Sequence, residues 1–350
     1  MNRNRLRSAH LQRGVTLVEL MVALVVGLIL LAGLIQLFIS NKQAYRIQEG
    51  ANIVNENARY ALAEMQYDLR MADHWGGVEG DGLDTVAGSD TVTSDCGGNA
   101  AAVLNVGVFG IEDASNSPLT CIPAADYLPN TDIIVLRYAM PTRVATGSLA
   151  GTTFYVRSAS GRRGVLLEGK NKSSIPSDLA SDNAAETDPY KETPVGVANY
   201  QLRTAIYYLR RCASQDRGTA GVCDAADDTV PSLARLSLQG TAMVAEDVIS
   251  GVEQMQLAYG VDLNGDRSAD VFQTATEVTA ANNWNRIVSV KMSLVLRNGE
   301  RDTTFTDTNT YQLYGGASGA PRAYTPAAGD RQFRRKVYNA TTQIRNMTRG

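Results

Sequence analysis

Three hydrophobic patterns follow one another along this chain. Residues 15–39 are apolar at nearly every position. Glu19 is their single charge, and from Leu20 onward only Gln36 is strongly polar. About 20 apolar residues rising ~1.5 Å each match a hydrocarbon core of roughly 30 Å, so the run is long enough to cross a membrane. The pattern then changes to one apolar stripe: Ile47, Ala51, Val54, Ala58, Ala61, Met65, Leu69 and Ala72, spaced by threes and fours. That is the period of an amphipathic helix with one buried face. No proline occurs before Pro118, and Gly27, Gly33 and Gly50 are only soft points. The two patterns predict a single helix from Val15 to about Asp73, roughly 90 Å long, closed by a glycine stop in His74-Trp75-Gly76-Gly77.

Beyond the helix the period shortens. Residues 76–130 are rich in Gly, Asp, Ser, Thr and Asn and read as loop with short strands. Short β-branched or aromatic runs follow at 131–139, 152–158, 164–168, 201–210 and 233–238. Residues 287–297 alternate most cleanly: Val288, Val290, Met292, Leu294 and Leu296 interleave with Ser289, Lys291, Ser293 and Arg297. They predict a half-buried strand with one wet face. Residues 170–196 are polar and proline-punctuated, a long excursion between strands. One helix followed by many strands predicts an α+β fold with an antiparallel sheet. No internal repeat is present.

Composition narrows the function. Hydrophobic residues are 44% and charged residues 20% of 350, which excludes a wholly disordered chain. Lysine and arginine total 33 against 36 acids, so nucleic acid is not an expected partner. The two histidines, His10 and His74, leave little for a zinc enzyme or a Ser–His–Asp hydrolase. No GxSxG, HExxH, P-loop or GxGxxG motif occurs. The expectation is a protein that is not an enzyme and requires no cofactor. Charge placement adds a topology: Arg3, Arg5, Arg7 and Arg13 precede the apolar run with no acid among the first 14 residues. Cationic flanks stay in the cytoplasm, so the N-terminus is inside and the rest is exported.

A secretory signal peptide would have a shorter apolar stretch and then a small-residue cleavage site. Here Ser40-Asn41-Lys42-Gln43 leads straight into the helical stripe. A plain anchor fits the length but leaves Glu19 unexplained. A carboxylate within the bilayer costs a few kcal/mol on insertion scales and points to function; the bland alternative is an acid tolerated near the interface.

The exported part holds four cysteines, Cys96, Cys121, Cys212 and Cys223. An even number in an exported domain favours disulfides over a metal site, since no CxxC spacing or neighbouring histidine is present. Of three possible pairings, proximity in sequence favours Cys96–Cys121 and Cys212–Cys223. One further stretch carries candidate chemistry. Asp262, Asn264, Asp266, Ser268 and Asp270 place oxygen donors at every second residue, a pattern suited to Ca²⁺. Compared with an EF-hand loop, Arg267 replaces the turn glycine and Gln273 the bidentate glutamate; the competing reading is an Asx-rich turn between strands.

Gly14-Val15-Thr16-Leu17-Val18-Glu19, between a basic leader and an apolar helix, resembles the type IV prepilin signal. The resemblance implies cleavage between Gly14 and Val15 by prepilin peptidase, with N-methylation of Val15, which stands where phenylalanine or methionine is usual. Glu19 becomes the fifth mature residue, and the α-amino group of a neighbouring subunit would neutralise it as helices pack. The match sharpens at Gln43-Ala44-Tyr45-Arg46-Ile47-Gln48-Glu49, Glu56-Asn57-Ala58-Arg59-Tyr60-Ala61-Leu62 and Asp68-Leu69-Arg70-Met71-Ala72. Tyr259-Gly260-Val261-Asp262 and the tail Arg334-Arg335-Lys336-Val337-Tyr338 add to it. Together they are similar to PilW-type minor pilins, although Asp73-His74-Trp75-Gly76-Gly77 departs from that family's frequent Gly-Tyr-x-Gly-Cys.

What this resemblance implies is a pilin-like fold: a leader (1–14), a membrane or filament-core half-helix (15–40), an amphipathic half-helix (41–75) and a β-rich head (76–350). The chain would be held in the inner membrane, join other minor and major pilins, prime type IV pilus assembly and stay near the tip. Its rivals are a J-like minor pseudopilin of type II secretion and a membrane-anchored, calcium-dependent adhesin. In the tail, Phe333, Val337 and Ile344 are expected to pack as a closing strand while its arginines remain wet.

Overall fold

A computed structural model of the chain describes residues 14–85, 96, 106–180, 196–213, 222–240 and 242–346. Two compact units divide it, Met1–Asn52 and Ile53–Gly350. A single helix, α1 (Leu17–Met71), contributes to both. Its first half exposes its apolar side chains throughout, and α1 is the one described helix long and apolar enough to cross a membrane.

Within the second unit the predicted stripe is buried from Val54 onward: Val54, Ala58, Ala61, Met65, Leu69 and Ala72 form part of the main core. The alanines allow the sheets to approach the helix closely, while Met65 and Leu69 fill the space between. The glycine stop is not where the sequence placed it. The helix ends at Met71, and Asp73, not glycine, takes the left-handed conformation (φ 63°). Asp73 holds it because its N–H donates to the Arg137 carbonyl (3.0 Å) and its carboxylate accepts from the Trp75 indole (2.8 Å). Gly76 and Gly77 serve the next turn, where a Cβ would strike Ser158, Tyr200 and Ser160.

The strands are β1 (Leu83–Thr85), β2 (Val108–Ile111), β3 (Ile133–Val144), β4 (Phe154–Ala159), β5 (Arg163–Glu168), β6 (Val197–Arg210) and β7 (Ser232–Gln239). They continue with β8 (Ala242–Ser250), β9 (Val252–Val261), β10 (Val271–Gln273), β11 (Ile287–Arg297), β12 (Tyr311–Leu313), β13 (Arg322–Tyr324) and β14 (Arg335–Gln343), with a short helix α2 (Ala275–Ala281) after β10. One sheet runs β1-β5-β4-β6-β3-β2, and β7 and β8 are attached to it through β6. The 14 residues of β6 make this possible. β3 occupies one edge, while β4 pairs with the first part of the other edge (from Val197) and β7 with the last (to Arg210). A second sheet is β10-β9-β11-β14, and β12-β13 is a separate hairpin. All pairs are antiparallel except β1-β5, a parallel contact at an edge. β3 runs past Pro141 through a register shift between Ala139 and Arg143, the kind of irregularity at which a strand admits proline.

Two sequence expectations change. The alternating face of β11 is not wet: Ser289, Ser293 and Arg297 are buried. Residues 301–333 lie over that face. The Ser293 hydroxyl accepts from the Tyr314 N–H (2.8 Å), and the Lys291 ammonium sits 3.5 Å from the Phe272 ring centroid. The polar tail is also different, because Arg335 is fully buried (side chain 0% exposed). Residues 86–95 and 97–105 of the 76–130 loop, and 181–195 of the 170–196 excursion, lie outside the described residues.

Candidate functional site

The N-terminal segment is built on a capping device. Thr16 precedes α1, and its hydroxyl accepts from the Glu19 N–H (3.3 Å). Glu19 returns the contact: its carboxylate accepts from the Thr16 N–H and hydroxyl, each at 3.3 Å. This reciprocal pair satisfies two of the donors that a helix start leaves open, and it puts a negative charge at the positive end of the helix dipole. Thr16-x-x-Glu19 is a readable signature for that pair, and the sequence reading missed it. The same device starts α2, where Thr274 and Glu277 exchange contacts at 2.9 and 3.3 Å. Gly14 and Val15 are exposed immediately ahead of the cap, and a Cβ on Gly14 would meet nothing within 4 Å. Peptide, cap and carboxylate thus lie within six residues, followed by exposed apolar side chains from Leu17 to Ile39.

The second half of α1 is locked to the large sheet by a buried charge. Asp68 is 1% exposed, and its two oxygens accept from the Tyr138 and Tyr207 hydroxyls at 2.6 Å each. Arg235 reaches Asp68 (3.6 Å), Glu64 (3.0 Å) and Glu246 (2.7 Å), joining helix, β7 and β8. Burial, with the Asp68 charge beside it, pushes both tyrosine hydroxyls far above their ordinary range, so they remain donors.

The tail supplies a second buried network, which the sequence reading did not anticipate. Arg335 is ion-paired with Glu253 and with Asp307 (3.2 Å), and its remaining donors reach the carbonyls of Phe333 (2.9 Å) and Asp330 (2.7 Å). Tyr324 and Tyr311 donate to the same two carboxylates at 2.8 Å. A guanidinium can be buried only when its fork of donors is met, and here carboxylates and carbonyls meet it. Arg334, next in sequence, stays partly exposed and pairs with Asp302 (2.9 Å). Phe333 and Ile344 are buried as expected. Asn346 then donates to the carbonyls of Arg70 and Met71, the last of α1, and of Ala72 just past it, at 3.0–3.2 Å. The far end of the chain caps the helix that begins it.

The cysteines are joined as Cys96–Cys121 and Cys212–Cys223, with Cα separations of 4.9 and 5.9 Å. Asp126 ties the second loop to β6: its carboxylate accepts from the Cys223 N–H, and its carbonyl from the Arg211 N–H (2.8 Å). The oxygen-rich loop is drawn together, but on its own backbone. Asp262 accepts from the N–H groups of Asn264, Gly265 and Arg267 (2.6–3.2 Å) and Asp266 from that of Ser268 (2.8 Å). Asn264 donates to Asp270 (3.0 Å) and Asp266 (3.3 Å). Desolvation pushes the Asp262 carboxyl up, but the backbone donors, led by Arg267 and Gly265, outweigh it and hold the group below its usual range. Arg267 and Gly265 both adopt positive φ (70° and 83°), so the turn is made without a glycine at 267. Among the described residues no group of three or more His, Cys, Asp or Glu is placed to hold a metal ion. The arrangement is that of a linked series of Asx turns.

Residues 206–346 match the family model described as Type IV Pilus-assembly protein W. Over that stretch the chain is similar to PilW. Residues 10–35 match the prokaryotic N-terminal methylation motif, which covers Gly14, Val15 and Glu19. The PilW-like region begins inside β6 and contains the Cys212–Cys223 staple, the Arg335 network and the Asn346 cap. A type IV-like pilin from Thermus thermophilus is similar at 10% identity, over 84% of this chain and 97% of that chain, with a TM-score of 0.31. No curated protein matches the sequence. The fold is a long apolar N-terminal helix followed by antiparallel sheets.

Proposed function

We propose that this chain is a minor pilin that assembles into a type IV pilus. Prepilin peptidase removes residues 1–14 on the cytoplasmic side of the inner membrane, and the new Val15 amine is methylated. The apolar stretch then leaves lipid and packs helix against helix in the filament, while the head makes lateral contacts. With other minor pilins the protein primes assembly and remains near the tip. In this reading the chain performs no catalysis; its output is a packed helix and a shaped head.

The observation that carries the reading is the segment from Gly14 to Ile39. It combines an exposed peptide, a single acid and an unburied apolar helix surface, and it coincides with a methylation motif. A chain that stayed in lipid would gain nothing from an acid at the fifth position. A chain that moves into a protein core gains a partner for it, because a neighbour's terminal amine can replace the local Thr16 contacts. The match to a pilus-assembly family favours the pilus over the secretion pseudopilus, and the self-satisfied Asp262 loop lends no support to a calcium-dependent adhesin.

Mass spectrometry of the protein from sheared pili tests this directly. An N-terminus of methylated Val15 is expected; a protein beginning at Met1 and confined to membranes would overturn the proposal.

A further inference from the structure

One buried acid ties the start of β3, in the large sheet, to β9 of the second sheet. Asp132 is 2% exposed and stands just ahead of Ile133, the first residue of β3. Its N–H donates to the Met255 carbonyl (3.1 Å). Its carboxylate accepts from the Leu257 N–H (2.7 Å) and from the Asp113 N–H (3.1 Å). β10 pairs with β9 only from Tyr259 to Val261, so Asp132 serves the part of that edge which β10 leaves open.

The backbone on the other side of this joint is set like a hinge. Asp113 and Asn130 both adopt the left-handed conformation (φ 46° and 60°), which a residue with a side chain keeps only where contacts enforce it. The Asn130 N–H donates to the Ala114 carbonyl (3.0 Å), closing the neck of the 114–130 segment. Gln254 and Gln256 of β9 donate to the Asn130 carbonyl (3.1 and 3.4 Å), and Gln256 donates to Asp113 as well (3.0 Å). The contacts that hold the hinge therefore cross the same joint that Asp132 closes.

Asp132 has no counter-charge there. Among the described residues no lysine or arginine pairs with it, and Arg322 of β13 is paired with Asp113. The other ionisable groups around it are Glu112 and Asp113 after β2, the Tyr259 hydroxyl on β9, and the Tyr127 hydroxyl, which donates to the Thr131 carbonyl. The Tyr259 hydroxyl is buried without a hydrogen-bond partner among the described residues. Burial pushes the Asp132 carboxyl well above its usual range. The Leu257 and Asp113 N–H groups pull the other way, and the charges of Asp113 and Glu112 add to the rise.

We propose that Asp132 is a pH-sensitive clasp between the two sheets of the head, closed while its carboxyl keeps a proton and loosened when that proton is lost to water beside Asp113 and Glu112. The two sheets share one hydrophobic core, so the joint opens locally and the head stays folded. The sign follows from linkage. An opened carboxyl titrates near about 3.9 and the clasped one higher, so the clasp is strongest below about pH 4 and weakens as pH rises through the higher value. The head is thereby stiffer in acid surroundings than in neutral ones. This inference is independent of the pilin reading.

Hydrogen exchange read by mass spectrometry on the full chain in detergent, from about pH 4.5 to about pH 7.5, tests the clasp on peptides covering 130–134 and 254–258. After division by the intrinsic rate, exchange in the wild type should rise by up to about tenfold per pH unit and level off once Asp132 is ionised. Asp132→Asn cannot titrate and should give a flat profile. Glu112→Gln removes one repelling charge, keeps an acceptor for the Thr276 N–H (3.3 Å), and should level off at lower pH than the wild type. A wild-type ratio that stays level or falls with pH would overturn the clasp, as would a rise that Asp132→Asn leaves in place. If the asparagine variant does not fold, the other two profiles decide, and identical ones overturn the proposal.

Discussion

Replacing Arg335 with methionine tests the claim that the polar tail is a buried fastening and not a wet strand. The side chain is fully enclosed, and it neutralises Glu253 and Asp307, both nearly or wholly buried. Methionine keeps most of the volume but strips two carboxylates and two carbonyls of their donor. Arg297, 3.8 Å from Glu253, offsets part of the charge left behind, and the tyrosine donors to both acids remain. Breaking a buried ion pair from one side costs about 3–5 kcal/mol, and here the lower half of that range is expected because of those remaining partners. For a domain of this size each kcal/mol lowers Tm by about 2–4 °C, so a drop of roughly 6–15 °C follows. Thermal unfolding of the full chain in detergent, followed by circular dichroism, reads it. Arg334→Met is the control: Arg334 is 38% exposed and pairs with a single acid, so its loss should cost under ~1 kcal/mol. Equal and small effects from the two neighbours would refute the reasoning.

Asp68→Ala leaves two buried tyrosine hydroxyls without an acceptor and Arg235 with less charge to meet; a loss of about 2–4 kcal/mol is expected in the same unfolding assay. Replacing Cys212 and Cys223 together with serine should cost about 2–4 kcal/mol, and thiol titration of the unreduced wild-type protein should find no free cysteine. Glu19→Ala should insert into membranes normally and fail to enter pili, whereas Thr16→Val, which removes only the cap, should weaken the helix start by about 1 kcal/mol and still be incorporated; fractionation and immunoblotting separate the two. The Asp262 carboxyl is held below its usual range in the folded turn, so its contribution to stability is present at neutral pH and lost as pH falls below about 4. Asp262→Asn should therefore flatten the acid limb of the stability profile, and an unchanged limb would count against the backbone-donor account.

The helix, its stripe and the pairing of nearby cysteines were legible because each depends on local spacing. Residues 54–72 need only a period of 3.6 to announce a buried face. What failed depends on distant partners. β11 alternates cleanly, yet its polar side is covered by 301–333, a segment whose own sequence has little regular period. β9 hides its strand character in another way. It is buried at every position, and its Glu253, Gln254 and Gln256 read as solvent-facing until Tyr324, Asn130 and Asp113 are found opposite them. Arg335 and Arg334 look alike in sequence; only the location of Glu253, 82 residues earlier, distinguishes them. Two local signals went unread, Thr16-x-x-Glu19 and Thr274-x-x-Glu277, each an ordinary helix start.

Asn346 gives the molecule an order of events. The helix it closes is synthesised first, its end 275 residues ahead of Asn346. Its terminal carbonyls, however, receive their donor only when β14 has been laid against β11 and the chain carries on to Asn346. A chain that stops short of Asn346 would therefore keep its long helix but leave that helix with a frayed shoulder.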